Sequence, residues 1–204
     1  MIDENEGFRT GVFAIVGEPN AGKSTLLNRI IGQKIVITSP KPQTTRDKIA
    51  GILSDDTCQM VFVDTPGFVR PQDLLHEALM LRVQESLEGV DAVIHLRDAT
   101  HRKEAASDEM ADLLRQSGAT VVEVWNKIDL LNPAQLNELS AFKVSALTGE
   151  GIDTLLDALR ELAPEGPPLY SPDDISDRDL RFLVAEIVRE KIFEAMRQEI
   201  PYSV

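Results

Sequence analysis

The stretch GEPNAGKST, residues 17–25, lies between the apolar run GVFAIV and the helical pattern LLNRII. Gly17, Gly22, Lys23 and Ser24 fall at the fixed positions of the pattern G-x-x-x-x-G-K-[ST]. Two glycines there let the backbone wrap so that successive N–H groups converge on an anion. A helix starting beside the lysine adds partial positive charge at the same point. Lys23 can then reach the β- and γ-phosphates of a nucleotide and the Ser24 hydroxyl can bind Mg²⁺, with Asn20, Ala21 and Thr25 completing the lining. An ordinary turn is the alternative, and the strand before and helix after weigh against it.

Three further pieces follow in a fixed order. DTPG (64–67) closes the run CQMVFV, so that Asp64 would hold Mg²⁺ through water and the Gly67 N–H would meet a γ-phosphate. NKID, with Asn126, Lys127 and Asp129, closes TVVEVW. A carboxylate at Asp129 accepts two hydrogen bonds from the ring N–H and exocyclic amine of guanine, which adenine lacks. Such a site can reject the wrong base by roughly 10⁴–10⁵. SAL (145–147) supplies Ser145 and Ala146, whose N–H is expected at the guanine O6. Each tetrapeptide alone is common, but the ordered set predicts a P-loop GTPase that binds GTP and GDP with Mg²⁺.

These pieces need a scaffold that brings strand ends together. GVFAIV (11–16), KIAGIL (48–53), CQMVFV (58–63), DAVIHL (91–96), TVVEVW (120–125) and AFKVS (141–145) read as strands. Several are almost wholly apolar, as strands covered on both faces are. Residues 23–31, 72–88, 102–117 and 152–163 fit helices. SDDT between the second and third runs reads as the turn of an antiparallel hairpin. The alternation predicts an α/β fold, a doubly wound, mostly parallel sheet with one antiparallel edge strand. Ligands bind such sheets at the carboxyl ends of the strands, where every piece above lies.

The bulk properties exclude several classes. At 204 residues and 43% apolar content the chain is globular, and no run is long enough to span a membrane. MIDENEGFRTG is unlike a signal or transit peptide, and the single cysteine, Cys58, sits in an apolar run as a core thiol. A cytoplasmic protein is the plain reading. The net charge of −13 is spread along the chain, with no basic stripe, so no DNA partner is expected and any RNA contact must be local. His76, His95 and His101 have no metal-ligand spacing, and Trp125 is expected in the core. A shift to Pro, Gly and Asp around APEGPPLYSPDD (163–174) reads as a linker. Beyond it, residues 176–200 read as an amphipathic helix, with Ser176 and Asp179 as a capping pair and an apolar stripe from Leu180 to Met196.

Asn20 within GEPNAGKS, the run PQTTRDKIAGI (42–52), VDTPGF and the segment 174–204 together resemble the Era family of translation-associated GTPases, over nearly the whole chain. The resemblance implies a P-loop GTPase domain over 8–163, a linker over 164–175, and, over 176–204, the first helix and strand start of a truncated KH-like domain. The RNA-clamping G-x-x-G loop of KH modules is absent from these residues. The implied role is a GTP-hydrolysing switch in small ribosomal subunit assembly and rRNA maturation, with the small subunit and its rRNA as partners. The protein is expected to be a bacterial-type cytoplasmic monomer, with peripheral association at the inner membrane left open. The alternatives are a GTP-dependent binding module with negligible turnover, or another translation-associated GTPase.

By resemblance, Thr45 completes the Mg²⁺ shell in the GTP state, and Lys23, Asn20, Thr45 and Gly67 form the catalytic set. Phe68 stands where many GTPases carry a water-orienting glutamine, with Arg70 and Gln72 as the only nearby substitutes. Relatives with this substitution order water through the backbone and, in some, through a potassium ion held by the asparagine at the Asn20 position. Slow intrinsic hydrolysis follows. One departure stands out: only fifteen residues separate Asp129 from Ser145, where the family has a full extra helix. The octapeptide NPAQLNEL is expected to make two turns and still connect.

Overall fold

The computed structural model describes residues 7–38, 49–65, 81, 83–101 and 108–195. Among them six strands form one sheet: β1 (Arg9–Val16), β2 (Ile49–Ser54), β3 (Cys58–Asp64), β4 (Ala92–Asp98), β5 (Thr120–Asn126) and β6 (Phe142–Lys143). Their order is β2-β3-β1-β4-β5-β6, with every neighbouring pair parallel except the β2–β3 hairpin. The hairpin turn is set by Asp55, whose Oδ1 accepts from the N–H groups of Thr57 and Cys58, both at 2.8 Å. The described helices are α1 (Lys23–Ile31), α2 (Asp108–Ser117), α3 (Pro133–Asn137), α4 (Ile152–Leu162) and α5 (Leu180–Ala195). Residues 83–87 are also helical.

Strand alternation divides the core. Phe13 and Ile15 of β1 point into one layer with Leu26 and Leu27 of α1 and Leu155 and Leu159 of α4. Ala14 and Val16 point into the other, with Val83, Leu87, Met110, Leu113 and Leu114. Cys58 is buried in the first layer and Trp125 in a third, smaller cluster, as their apolar surroundings predict. His95 is buried with Nδ1 3.4 Å from Glu123 Oε1, and His101 is exposed. His76 lies outside the described residues.

Three expectations need correction. The strand expected over 141–145 is two residues long. Val144 N still donates to Trp125 O at 2.8 Å, but Ser145 N turns away to Glu150 O at 2.9 Å and starts a loop. The two turns expected of NPAQLNEL shrink to the five residues of α3, held by a capping box between Asn132 and Gln135 with Pro133 in the first turn. The Ser176–Asp179 capping pair does not form. Asp179 itself caps α5, its Oδ1 accepting from Phe182 N at 2.8 Å, while Ser176 Oγ donates to Ala50 O at 2.9 Å.

The segment after α4 is largely extended, as its proline content favours, with a turn at 172–173, and it is bonded to the sheet at several points. Thr10 Oγ1 donates to Pro167 O at 2.9 Å. Gln59, fully buried on β3, accepts from Leu169 N at 2.7 Å and Tyr170 N at 2.9 Å and donates to Tyr170 O at 3.0 Å. Ile52 N donates to Ile175 O at 3.0 Å, and Ala50 N to Asp177 Oδ1 at 2.9 Å. Farther on, Glu190 of α5 is buried, accepts from Thr38 N at 3.1 Å and pairs with Lys34. Of the apolar stripe on α5, Leu183 packs on the core, whereas Leu180, Val184, Ile187 and Val188 are exposed. No helix among the described residues is long and apolar enough to cross a membrane.

These bonds carry a prediction. A chain cut after Ala163 loses the three bonds of Gln59 to Leu169 and Tyr170, keeping only the one to Ser54 Oγ. It should be about 2–4 kcal/mol less stable than one carried through Asp177, since each lost bond is worth about 1 kcal/mol and water replaces some of them. Urea unfolding of the two fragments measures the difference, and equal midpoints would make the segment a passive tether.

Candidate nucleotide site

β1 is the topological switch point of the sheet, hydrogen-bonded on one side to β3 and on the other to β4. The loop that leaves it admits no side chains at its glycines. A Cβ on Gly17 would lie 2.1 Å from Leu96 O, and one on Gly22, where φ is +99°, 2.2 Å from Asn126 Nδ2. Asn20 adopts a left-handed φ of 62°, which asparagine tolerates, and its side chain is exposed.

Lys23 opens α1 and folds back over the loop, its Nζ donating to Gly17 O at 2.9 Å and Glu18 O at 3.0 Å. Burial lowers its pKa from 10.5 to about 8, against the opposing pull of the Asp64 and Glu18 carboxylates. Ser24 Oγ donates to Asp64 Oδ2 at 2.9 Å, which joins the first turn of α1 to the end of β3. Thr25, half-buried, follows on the same turn. Thr65 is fully buried and donates from Oγ1 to Ile15 O at 2.7 Å, fixing the chain just past Asp64.

The second half of the site lies at the ends of β5 and β6. Asn126 is buried and bridges two loops: Nδ2 donates to Ala21 O at 2.8 Å, and Oδ1 accepts from Ala146 N at 2.9 Å. The Ala146 N–H, expected at the guanine O6, is directed at Asn126 Oδ1, a buried amide oxygen that requires a donor. Lys127 has a left-handed φ of 66°, and its Nζ donates to Asp98 Oδ2 at 2.5 Å. Burial works against the charged form of Asp98, but hydrogen bonds from Lys127 and Thr100 hold its carboxyl below the usual range. Asp129 is exposed, with Oδ1 accepting from Ser145 Oγ at 2.5 Å, so the plane of the carboxylate is set.

Gly17, Asn20, Ala21, Gly22, Lys23, Ser24, Thr25 and Asp64 thus surround the loop after β1, and Asn126, Lys127, Asp129, Ser145 and Ala146 form a second cluster tied to it through Asn126. Thr45 and Gly67, with Thr44, Phe68, Arg70 and Gln72, lie outside the described residues. Three contributors were not anticipated: Thr65, Asp98 and Arg29, the last of which donates from Nε to Ala146 O at 3.1 Å and from Nη2 to Leu147 O. Asp98 had a signal in the sequence, a lone acid closing an apolar strand just as Asp64 does.

The residues fit a nucleoside phosphate and its metal. A cradle that excludes any Cβ, a buried lysine held by main-chain carbonyls, and a hydroxyl beside a carboxylate make a site for phosphate oxygens and a hard divalent cation such as Mg²⁺. Sheet order and site together define a P-loop GTPase. The family model described as "50S ribosome-binding GTPase" matches residues 12–127. GTPase Era of Geotalea uraniireducens (strain Rf4) is 43% identical over 208 residues, covering 97% of this chain and 70% of that protein. GTPase Era of Lactobacillus delbrueckii subsp. bulgaricus (strain ATCC BAA-365 / Lb-18) is 44% identical, covering 96% and 68%. Two Era crystal structures superpose with TM-scores of 0.84 at 37% identity, each covering 95% of this chain and 70% of the other. One holds MgGDPNP and nucleotides 1506–1542 of 16S ribosomal RNA; the other, an Aquifex aeolicus variant, holds GDP·AlF4⁻. The chain belongs to the Era family of GTPases and hydrolyses GTP to GDP and phosphate.

Proposed function

We propose that the chain is a GTP-driven switch in small ribosomal subunit assembly and rRNA maturation. The observation that carries this reading is its likeness, at a TM-score of 0.84, to an Era solved on nucleotides 1506–1542 of 16S ribosomal RNA. In this reading it acts as a cytoplasmic monomer, with GTP as substrate and slow intrinsic turnover.

The geometry supports the roles of Lys23, Ser24, Asp64, Lys127 and Asp129, and the resemblance those of Thr45, Gly67 and Phe68. Lys23 exchanges two carbonyl partners for β- and γ-phosphate oxygens and counters the charge that develops as the γ-phosphoryl departs. Ser24 and Asp64, with Thr45, would hold Mg²⁺, which when bound neutralises charge on the β- and γ-oxygens. Gly67 offers its N–H to the γ-phosphate. Asp129, oriented by Ser145, accepts from the guanine edge, and Lys127, anchored by Asp98, lays its methylene stem beside the base. Phe68 offers no hydrogen bond, so backbone groups order the attacking water. Asn20 would hold a potassium ion, which when bound would add positive charge to that of Lys23 at the phosphates.

Single-turnover assays with GTP and ATP, in potassium and in sodium, test the chemistry. GTP should be hydrolysed and ATP not, faster in potassium, and Asn20→Ala should remove the salt difference while retaining nucleotide. Equal rates in the two salts would take potassium out of the mechanism, and tight GTP binding without turnover would leave a binding module. For the assembly role, the protein should cosediment with small subunits in GDPNP more than in GDP. No retention in either state overturns that part.

A further inference from the structure

We infer that Arg29 is a positioning residue that sets the register between the phosphate and base halves of the site. The inference rests on the nucleotide reading above. Arg29 stands in the last turn of α1, the helix whose first residues are Lys23 and Ser24. Its guanidinium reaches across to the loop after β6, giving Nε to Ala146 O at 3.1 Å and Nη2 to Leu147 O. The side-chain stem also runs along this loop, with Cδ 3.8 Å from the position a Cβ on Gly149 would take.

The loop is therefore held on two sides. Asn126 takes the Ala146 N–H and ties it to Ala21 O in the phosphate loop, and Arg29 takes the Ala146 and Leu147 carbonyls and ties them to α1. Within the loop, Gly149 N donates to Ser145 O at 2.8 Å and Thr148 N to Ser145 Oγ at 3.0 Å. These bonds tie the loop to itself, and Ser145 Oγ ties it to Asp129. Without Arg29 the loop keeps its ties to β5, through Val144 N and Asn126, but loses its tie to α1. The planar fork of arginine, bonding two successive carbonyls, supplies that tie.

The consequence is specific to ligands that span both halves. A guanine nucleotide bound by its phosphates presents its base at a distance fixed by its own covalent frame. How much the base adds depends on whether the reading loop already waits there. Losing Arg29 should weaken what the base contributes and leave phosphate binding alone. The helix macrodipole gives any cation at this turn a small stabilising role, but that role would not distinguish the two halves.

The test measures GDP, ADP and inorganic tripolyphosphate binding, by competition against a fluorescent guanine nucleotide, for wild type, Arg29→Ala and Arg29→Gln. Arg29 is exposed, and alanine is the better helix former, so the variants fold. Arg29→Ala should weaken GDP about tenfold, which is 1.4 kcal/mol. The tripolyphosphate inhibition constant should stay unchanged. Arg29→Gln, with one amide donor in place of the fork, should fall between. A parallel loss of GDP and tripolyphosphate affinity would reduce Arg29 to a stabilising role, and unchanged GDP affinity would overturn the inference. If wild type itself fails to prefer GDP over ADP, the nucleotide reading fails instead.

Discussion

Replacing Lys23 with methionine should lower GTP affinity at least about 100-fold, because two or more charge-assisted hydrogen bonds to phosphate are lost. The same change should make the nucleotide-free protein harder to unfold at neutral pH. The ammonium is buried, and its pKa falls from 10.5 to about 8 on folding, which corresponds to about 3 kcal/mol of destabilisation. Methionine removes the ammonium from Gly17 O and leaves Glu18 O with only the Ala21 N–H at 3.3 Å, so a net gain of about 1–2 kcal/mol is expected. The sign follows from linkage. A lysine whose folded pKa is depressed destabilises fully below about 8, where it is charged in both states, and the effect fades as pH rises toward 10.5. The stability gap between variant and wild type should therefore close at alkaline pH. Binding has its own signature: above about pH 8 a growing share of the free lysine is neutral, so GDP binding there should be accompanied by proton uptake. Calorimetry in buffers of different ionisation enthalpy reads that uptake. Its absence, with GTP affinity intact in the variant, would remove Lys23 from the phosphate site.

Asp129→Asn should lower GTP affinity by about 10³ or more and raise the affinity for xanthosine triphosphate. The carboxylate can only accept, which suits the ring N–H and amine of guanine, whereas an amide offers a donor to the carbonyl that xanthine carries in place of the amine. Ser145 Oγ can still donate to the remaining side-chain oxygen, so the group keeps its orientation and only the hydrogen-bond code changes. Competition binding with both nucleotides on both proteins decides it. Equal ratios in wild type and variant would move base recognition away from Asp129.

Much of this site was legible in the sequence because its parts end strands. An apolar run that stops at Asp64, or at Asn126 with Asp129 close behind, reports both the strand and what it delivers. The ties between the parts were not legible, because their partners are main-chain carbonyls and N–H groups. Nothing in the sequence says that Asn126 will face Ala21 O and Ala146 N, or that Arg29 will reach Leu147 O. Gln59 was passed over inside the apolar run CQMVFV, and its partners at 169–170 lie in a segment whose composition suggested only a linker. The cap of α5 shows local ambiguity, since Ser176 and Asp179 are both good caps and only the pull of Ala50 O on Ser176 decides between them.

The fixing of α5 at Asp177 and again at Glu190 has a mechanical meaning. The two anchor points lie about 15–20 Å apart along the chain direction, most of it helix at about 1.5 Å per residue. A rod held at one point swivels; a rod held at two does not. With about 1 Å of slack at either anchor, the angular play is only about 3–4° over that length. Because the first anchor is on Ala50 and the second on Thr38, a relative shift of those two residues by a single ångström would tilt α5 through the same few degrees, and the displacement would grow in proportion to distance along the axis.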